Sequence, residues 1–283
     1  MRRASGYLLS VFLIALLAGC GSSSPSTTTT TQPPVTTSQT LPTTTTLPTG
    51  VSLANAIASA APNLKTYQST SILDMKTSYQ GSVQVMHASV TNQMDAASKK
   101  GFQTSLVTID NPQTRLSFQS YLIGQWMYLN YDSSSTLGPG IKAGTWYKMQ
   151  MDTLTQNSMY SENSSNMFTS ATITVNGSEI YNGIDCWNIT LIPDKTQMAN
   201  YLISQGVVNS ISDLGNLDQA LTGIVVTEKV AKDTNFIVQT STSLTMSIQG
   251  ATAVLSAQSS VSKINQSFSI DLPPEAINAQ QIG

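Results

Sequence analysis

Four groups of residues have types and spacings that could support chemistry. Ser260-Val261-Ser262-Lys263 matches the S-x-x-K pattern of serine acyl-enzymes, which needs serine and lysine one helical turn apart on one face. Here the flanking residues alternate as in a strand, which turns positions i and i+3 to opposite sides. Gly138-Pro139-Gly140-Ile141-Lys142-Ala143 fits G-x-G-x-x-A on paper, yet Pro139 lacks the backbone N–H that a phosphate loop offers, and a strand pattern follows instead of a helix. His87 has no second His or Cys nearby in sequence for a metal. Cys186 lacks the basic neighbours that would lower a thiol pKa. No G-x-S-x-G elbow places a nucleophile, so the sequence predicts no enzyme, no metal and no cofactor. Asn163, Asn176, Asn188 and Asn265 begin N-x-[ST] sequons, coincidences expected of a Ser/Thr-rich chain.

The spacing with a clear consequence lies at the start. Arg2 and Arg3 give a positive n-region, Leu8 to Leu17 is an apolar run broken only by Ser10, and Leu17-Ala18-Gly19-Cys20 closes it. The run is too short to span a bilayer as a mature helix and reads as a signal peptide. Its end resembles a bacterial lipobox. That resemblance implies cleavage before Cys20 and attachment of a diacylglycerol to its thiol, which places the chain outside the cytoplasm, anchored to the bacterial cell membrane or envelope surface. Loss of residues 1–19 removes two positive charges and leaves 11 basic against 15 acidic residues. With Cys20 lipidated, Cys186 is the remaining thiol and no internal disulfide forms.

Charged residues make up only 10% of the 283 positions, which argues against nucleic-acid binding, since that needs a clustered basic face. Residues 21–50 hold 13 Thr, 5 Ser and 5 Pro with no charge and no aromatic. Such a segment has too little apolar surface to offset its own ordering, so a disordered spacer is expected. The domain organisation read from the sequence is therefore a signal peptide (1–19), a lipidated Cys20 with its Thr/Ser/Pro stalk (20–50), and one folded domain (51–283).

Within that domain a first helix is expected with Ser52 as cap and Leu53, Ala56, Ile57 and Ala60 on one face. Strand patterns then dominate, about ten in all. Thr172–Tyr181 and Asp185–Ile192 form a hairpin about Asn182-Gly183. Val225–Ala231 and Phe236–Ile248 form another, and the alternation of Ile264, Phe268, Ile270 and Leu272 predicts a last strand. A second helix follows Pro193, with Asp194 as cap, Gln197 three residues on, and Met198, Tyr201 and Leu202 along one face up to Gly206. A weaker helix is expected over 153–168. In Asp185–Ile192, Trp187, Ile189 and Leu191 fall on one face and Cys186 on the other, so Trp187 is expected inside and Cys186 toward the polar side. Trp146 likewise sits in a strand with polar neighbours. The methionines, among them Met75, Met127, Met149, Met151, Met198 and Met246, suit an adaptable cavity and equally fill an irregular core.

The order of these features resembles bacterial lipoproteins of the LolA/LppX/LprG-like group. The resemblance runs through Leu64-Lys65-Thr66-Tyr67, Trp126-Met127-Tyr128-Leu129, Thr145-Trp146-Tyr147-Lys148-Met149, the Tyr181–Ile189 hairpin, the helix after Pro193, and Ser269-Ile270-Asp271-Leu272-Pro273-Pro274-Glu275-Ala276. It implies an α+β, mainly β fold: an antiparallel half-open barrel wrapped around helices. It also implies an apolar cavity between sheet and helices, for which Met127, Met149, Trp187, Met198, Tyr201, Leu202 and Met246 are the candidate lining and lid. The expected function is that of a membrane-anchored, non-enzymatic binder of an apolar ligand or a helper in envelope lipid or lipoprotein handling. The alternative is a surface interaction or sensor module with a filled core. Neither ligand identity nor oligomeric state is written in the sequence.

Overall fold

The computed structural model describes residues 47–135, 137, 140–151, 171–204, 210, 212, 215–248 and 250–282, with the side chains of 201–204 and 248 left outside that description. The expected leader, Cys20, the stalk up to 46, the helix over 153–168, Gly206 and the side chains of Tyr201 and Leu202 all fall outside it.

Helix α1 (Gly50–Ala60) opens the described fold. Its cap is Thr49, whose Oγ1 accepts from the Ser52 N–H at 3.1 Å, so the start lies upstream of the Ser52 expected from sequence. The two residues compete for the same role, and the threonine takes it because its backbone is already extended. Gly50 has a packing reason to be glycine: a Cβ there would fall 2.3 Å from the Ile173 carbonyl oxygen.

Two antiparallel meanders follow. The first is β1 (Thr66–Tyr79), β2 (Ser82–Asp95), β3 (Lys100–Asp110), β4 (Thr114–Ile123), β5 (Trp126–Tyr131) and β6 (Trp146–Gln150). The second is β7 (Thr172–Tyr181), β8 (Ile184–Ile192), β9 (Leu221–Ala231), β10 (Ile237–Ile248) and β11 (Ala251–Ser262), with α2 (Lys195–Ser204) and α3 (Leu217–Ala220) between β8 and β9. Strand β11 pairs with β1 from Gln68–Ser262 to Ser78–Thr252, which joins the meanders into one open sheet. A two-residue β12 (Gln280–Gln281) adds to β6 in parallel, so the sheet has twelve strands and ends at β7 and β12. The fold is α+β and mainly β, as the sequence predicts. Asn182 and Gly183 take φ of 49° and 82°, the twist-matched geometry that their side chains tolerate, and β7 and β8 pair directly across them.

One strand expectation fails. Lys263 and Asn265 turn left-handed, with φ of 51° and 54°, and residues 266–273 run on without a ladder. The alternation there is one of burial only, with Ile270 buried and Leu272 packed beside Trp146. Regular burial does not require hydrogen-bonded pairing. The same turn settles the S-x-x-K match, because Ser260 lies in β11 and Lys263 beyond its end.

One face of the sheet carries the described helices. Leu53 and Ile57 of α1 pack on Ile189, Leu191, Val226, Val230 and Ile237. Met198 and Ala199 of α2 and Ala220 of α3 join Leu73, Met86, Val107, Leu244, Met246 and Leu255. The α2 start is capped as expected, with Asp194 Oδ1 accepting from the N–H groups of Thr196 and Gln197 at 2.9 and 3.1 Å. A third cluster, Leu64, Tyr67, Met94, Leu122, Met151 and Val261, closes one end. Among the described residues no helix is long and apolar enough to cross a membrane.

Candidate ligand-binding face

Strand register places the inner face residue by residue. In β1 the buried side chains are Tyr67, Ser69, Ser71 and Leu73, while Thr70, Ile72 and Asp74 are exposed. Cross-strand partners continue these positions into rows, since opposed residues share a face. One row reads Ile189, Glu228, Thr240, Ser259, Ser71, Val90, Ser105, Phe118 from β8 to β4. The adjacent row reads Val261, Ser69, Asn92, Gln103, Ser120, Leu129 from β11 to β5. Every Ser, Asn, Gln and Glu in these two rows is buried.

A polar band therefore crosses the middle of a face whose other parts are apolar. It is also low in relief. Within these two rows Ser69, Ser71, Ser105 and Ser259 are short side chains on the four central strands, whereas Met, Leu and Ile fill the clusters on either side, Ala88 and Ala257 belonging to the one around Leu73. Two hydrogen bonds stitch the band. Ser71 Oγ donates to Ser259 Oγ at 3.1 Å, and Gln103 Nε2 donates to Ser105 Oγ at 2.7 Å.

Glu228 is the anomaly. Its side chain lies in the row with Thr240 and Ser259, and its Oε2 is buried without a hydrogen-bond partner. Burial pushes its carboxyl up to about 8, so the group is mostly neutral at pH 7. An unpartnered buried polar atom costs roughly 1–3 kcal/mol, and packing alone does not call for a glutamate where Val226 and Val230 share the face. Sequence reading missed Glu228. The available signal was its phase: in Val226-Thr227-Glu228-Lys229-Val230 the glutamate falls with the two valines and the lysine does not.

The candidate residues named from sequence lie around this band in separate groups. Met198 and Met246 meet in one cluster. Met127 and Met149 are register partners on β5 and β6, with Met127 packed beside the end-closing cluster. Trp187 packs beside the α1 cluster, half-buried, with Lys232 Nζ 4.3 Å above its ring. The structure thus joins two methionine pairs and keeps them and Trp187 apart, with the band between.

Cys186 is not on a polar side. It is fully buried among Ala60, Ala231, Phe236 and Val238, and burial pushes its thiol up. The alternation of β8 suggested one wet face, but Phe236 and the end of α1 cover the second face at this position. His87 pairs with Asp74, its register partner on the exposed face of β1 and β2. Among the described residues no group of three His, Cys, Asp or Glu is placed to hold a metal. A groove of about 440 Å³ lies across β2 to β5, lined mainly from the other face by Ser89, Thr91, Thr104, Gln119, Asn130 and Asp132, with Ser105 and Phe118 also bordering it. It contains none of the candidate methionines.

No family model matches the chain, and no curated protein sequence does. Solved structures do. The chain is similar to LprF from Mycobacterium bovis, with 11% identity and a TM-score of 0.44 over 79% of this chain and 96% of that one. It is similar to the Mycobacterium tuberculosis lipoprotein LppX, with 13% identity and a TM-score of 0.37 over 78% and 99%. A putative outer membrane lipoprotein-sorting domain from Vibrio parahaemolyticus aligns at 12% identity with a TM-score of 0.18 over 75% and 89%. The likeness is one of fold, and no ligand or residue role passes from those proteins to this chain.

Proposed function

We propose that the chain is a non-enzymatic envelope lipoprotein, held at the membrane through Cys20, that binds a lipid-like amphiphile on the inner face of its sheet. The observation that carries this reading is the low polar band between apolar clusters. A face meant only to seat helices gains by filling its centre with large apolar side chains. Four buried serines on the central strands and a buried glutamate do the opposite, and they suit a guest with apolar arms and a polar segment. In this reading Met198 and Met246 form one adaptable wall and Met127 with Met149 another, α2 serves as a lid that Tyr201 and Leu202 complete, and Trp187 borders the α1 side. Flexible thioethers favour breadth of ligand over sharp selectivity.

The test compares the wild-type chain with Cys20→Ala. The wild type is expected in the membrane fraction with an acyl mass on the mature N-terminus, and the variant is expected in the soluble fraction. The soluble variant is then incubated with phosphatidylglycerol vesicles, separated from them and weighed by native mass spectrometry. One or more retained lipids support the reading. A bare protein mass, with the fold intact by circular dichroism, overturns it in favour of a surface interaction module with a filled core.

A further inference from the structure

We propose that Glu228 is the polar contact for that ligand, donating its carboxyl O–H to the ester or amide carbonyl of an acyl lipid whose chain lies along the serine-bearing band. The inference rests on the inner face being the ligand-binding face.

Three observations converge on this carboxyl. Its Oε2 is buried with no partner, so the site is short of one hydrogen-bonding group that something else must supply. It stands at the β9 end of the short-side-chain row, next to Thr240 and then Ser259 and Ser71, where an incoming chain meets little relief. Among the described residues the groups facing it are uncharged: Ile189 from β8, Thr240 from β10, Val226 and Val230 along β9, and Leu53 and Ile57 from the covering helix α1. The nearest charge along β9 is Lys229, which points to the other face and is held by Glu179 at 2.9 Å.

That surrounding selects the chemistry of the guest. A phosphate or a fatty-acid carboxylate would place an anion beside an acid with no cation facing it, at a high desolvation cost. A carbonyl is neutral and accepts only, which complements the O–H of an un-ionised acid. Burial keeps the proton on Glu228 up to about pH 8, so the donor is present under ordinary conditions. The headgroup then lies outside this contact, and the acyl linkage is what the site reads.

The experiment uses the soluble Cys20→Ala chain and two vesicle preparations, ester-linked phosphatidylglycerol and its diether analogue, which has no carbonyls. Wild-type residue 228 is expected to retain the ester lipid about tenfold better than the ether lipid, because a buried polar group rejects an analogue lacking its partner. Glu228→Leu should abolish the preference by losing the ester advantage. Glu228→Gln, which still donates an N–H, should keep much of it. In the wild type, ester-lipid retention should fall as pH is raised through about 8, where the donor proton is lost. Equal retention of both lipids by the wild type, an ester preference that survives in Glu228→Leu, or retention unchanged from pH 6 to pH 10 overturns the Glu228 assignment while the ligand-binding face stands. Retention of neither lipid by the wild type overturns the ligand-binding face itself, and the Glu228 assignment with it.

Discussion

On the outer face of β9, Lys229 reaches Glu179 of β7 at 2.9 Å and lies 4.6 Å from the centre of the Tyr181 ring. On the inner face, one residue earlier, Glu228 has neither a cation facing it nor a partner for Oε2. The outer face pairs an acid with a base elsewhere too, with Asp74 against His87 across β1 and β2. There each acid has a basic side chain within reach. On the inner face the charge is removed by protonation. The contrast at this position is between an acid with a basic partner and a buried acid without one, and burying the second as an ion would be costly.

The largest effect that sharpens this contrast is the pH dependence of stability. Glu228 has a folded pKa of about 8 against an ordinary value of 4.5. The folded chain therefore holds a proton that the unfolded chain releases across that window. Unfolding free energy should fall as pH rises from about 4.5 to about 8 and then level off, by several kcal/mol in all. Glu228→Gln has no such proton, so its thermal midpoint should decline less over the same window. Superimposable pH profiles for the two proteins would show that Glu228 is ionised when folded and would erase the difference between the faces.

A smaller effect separates the same faces by apolar truncation. Ile57 is buried against the inner face and Ile72 is 54% exposed on the outer one. Ile57→Ala should cost about 2–5 kcal/mol in chemical denaturation, whereas Ile72→Ala should change stability by about 0.5 kcal/mol or less. Equal costs would mean that the outer face around β1 is covered as well.

These paired residues also explain what the sequence could disclose. The β7–β8 hairpin was legible because Asn182-Gly183 demands a left-handed turn, and α2 was legible because Asp194 precedes an apolar spacing. Both signals are local. The inner face was not legible, because Ser and Thr occupy both faces of the central strands. In β1, Ser71 is buried and Ile72 exposed, so a period of two could be read in the wrong phase. Only the register of β1 with β2 and β11 fixes it, and register is a property of distant partners. The methionine candidates were chosen by composition, which says nothing about which of them meet. Met198 and Met246 share a cluster because α3 touches both α2 and β10, an arrangement no short-range pattern encodes.

The smallest expected effect concerns the outer ion pair. Lys229 and Glu179 are 27% and 35% exposed as side chains, while the pairing oxygen Glu179 Oε1 is shielded, so water screens their attraction in part. Removing the charge with Glu179→Gln leaves Lys229 near the Tyr181 ring, which retains part of its favourable environment. The expected loss is about 1 kcal/mol or less at low salt. It should shrink further in 1 M NaCl, where the screening length drops to about 3 Å from about 10 Å at 0.1 M. Parallel urea titrations of wild type and Glu179→Gln at the two salt concentrations give the comparison directly. A cost above about 3 kcal/mol that ignored salt would identify the pair as effectively buried. Both faces of β9 would then be low-dielectric, and the protonation of Glu228 could no longer be ascribed to a property that the inner face alone possesses.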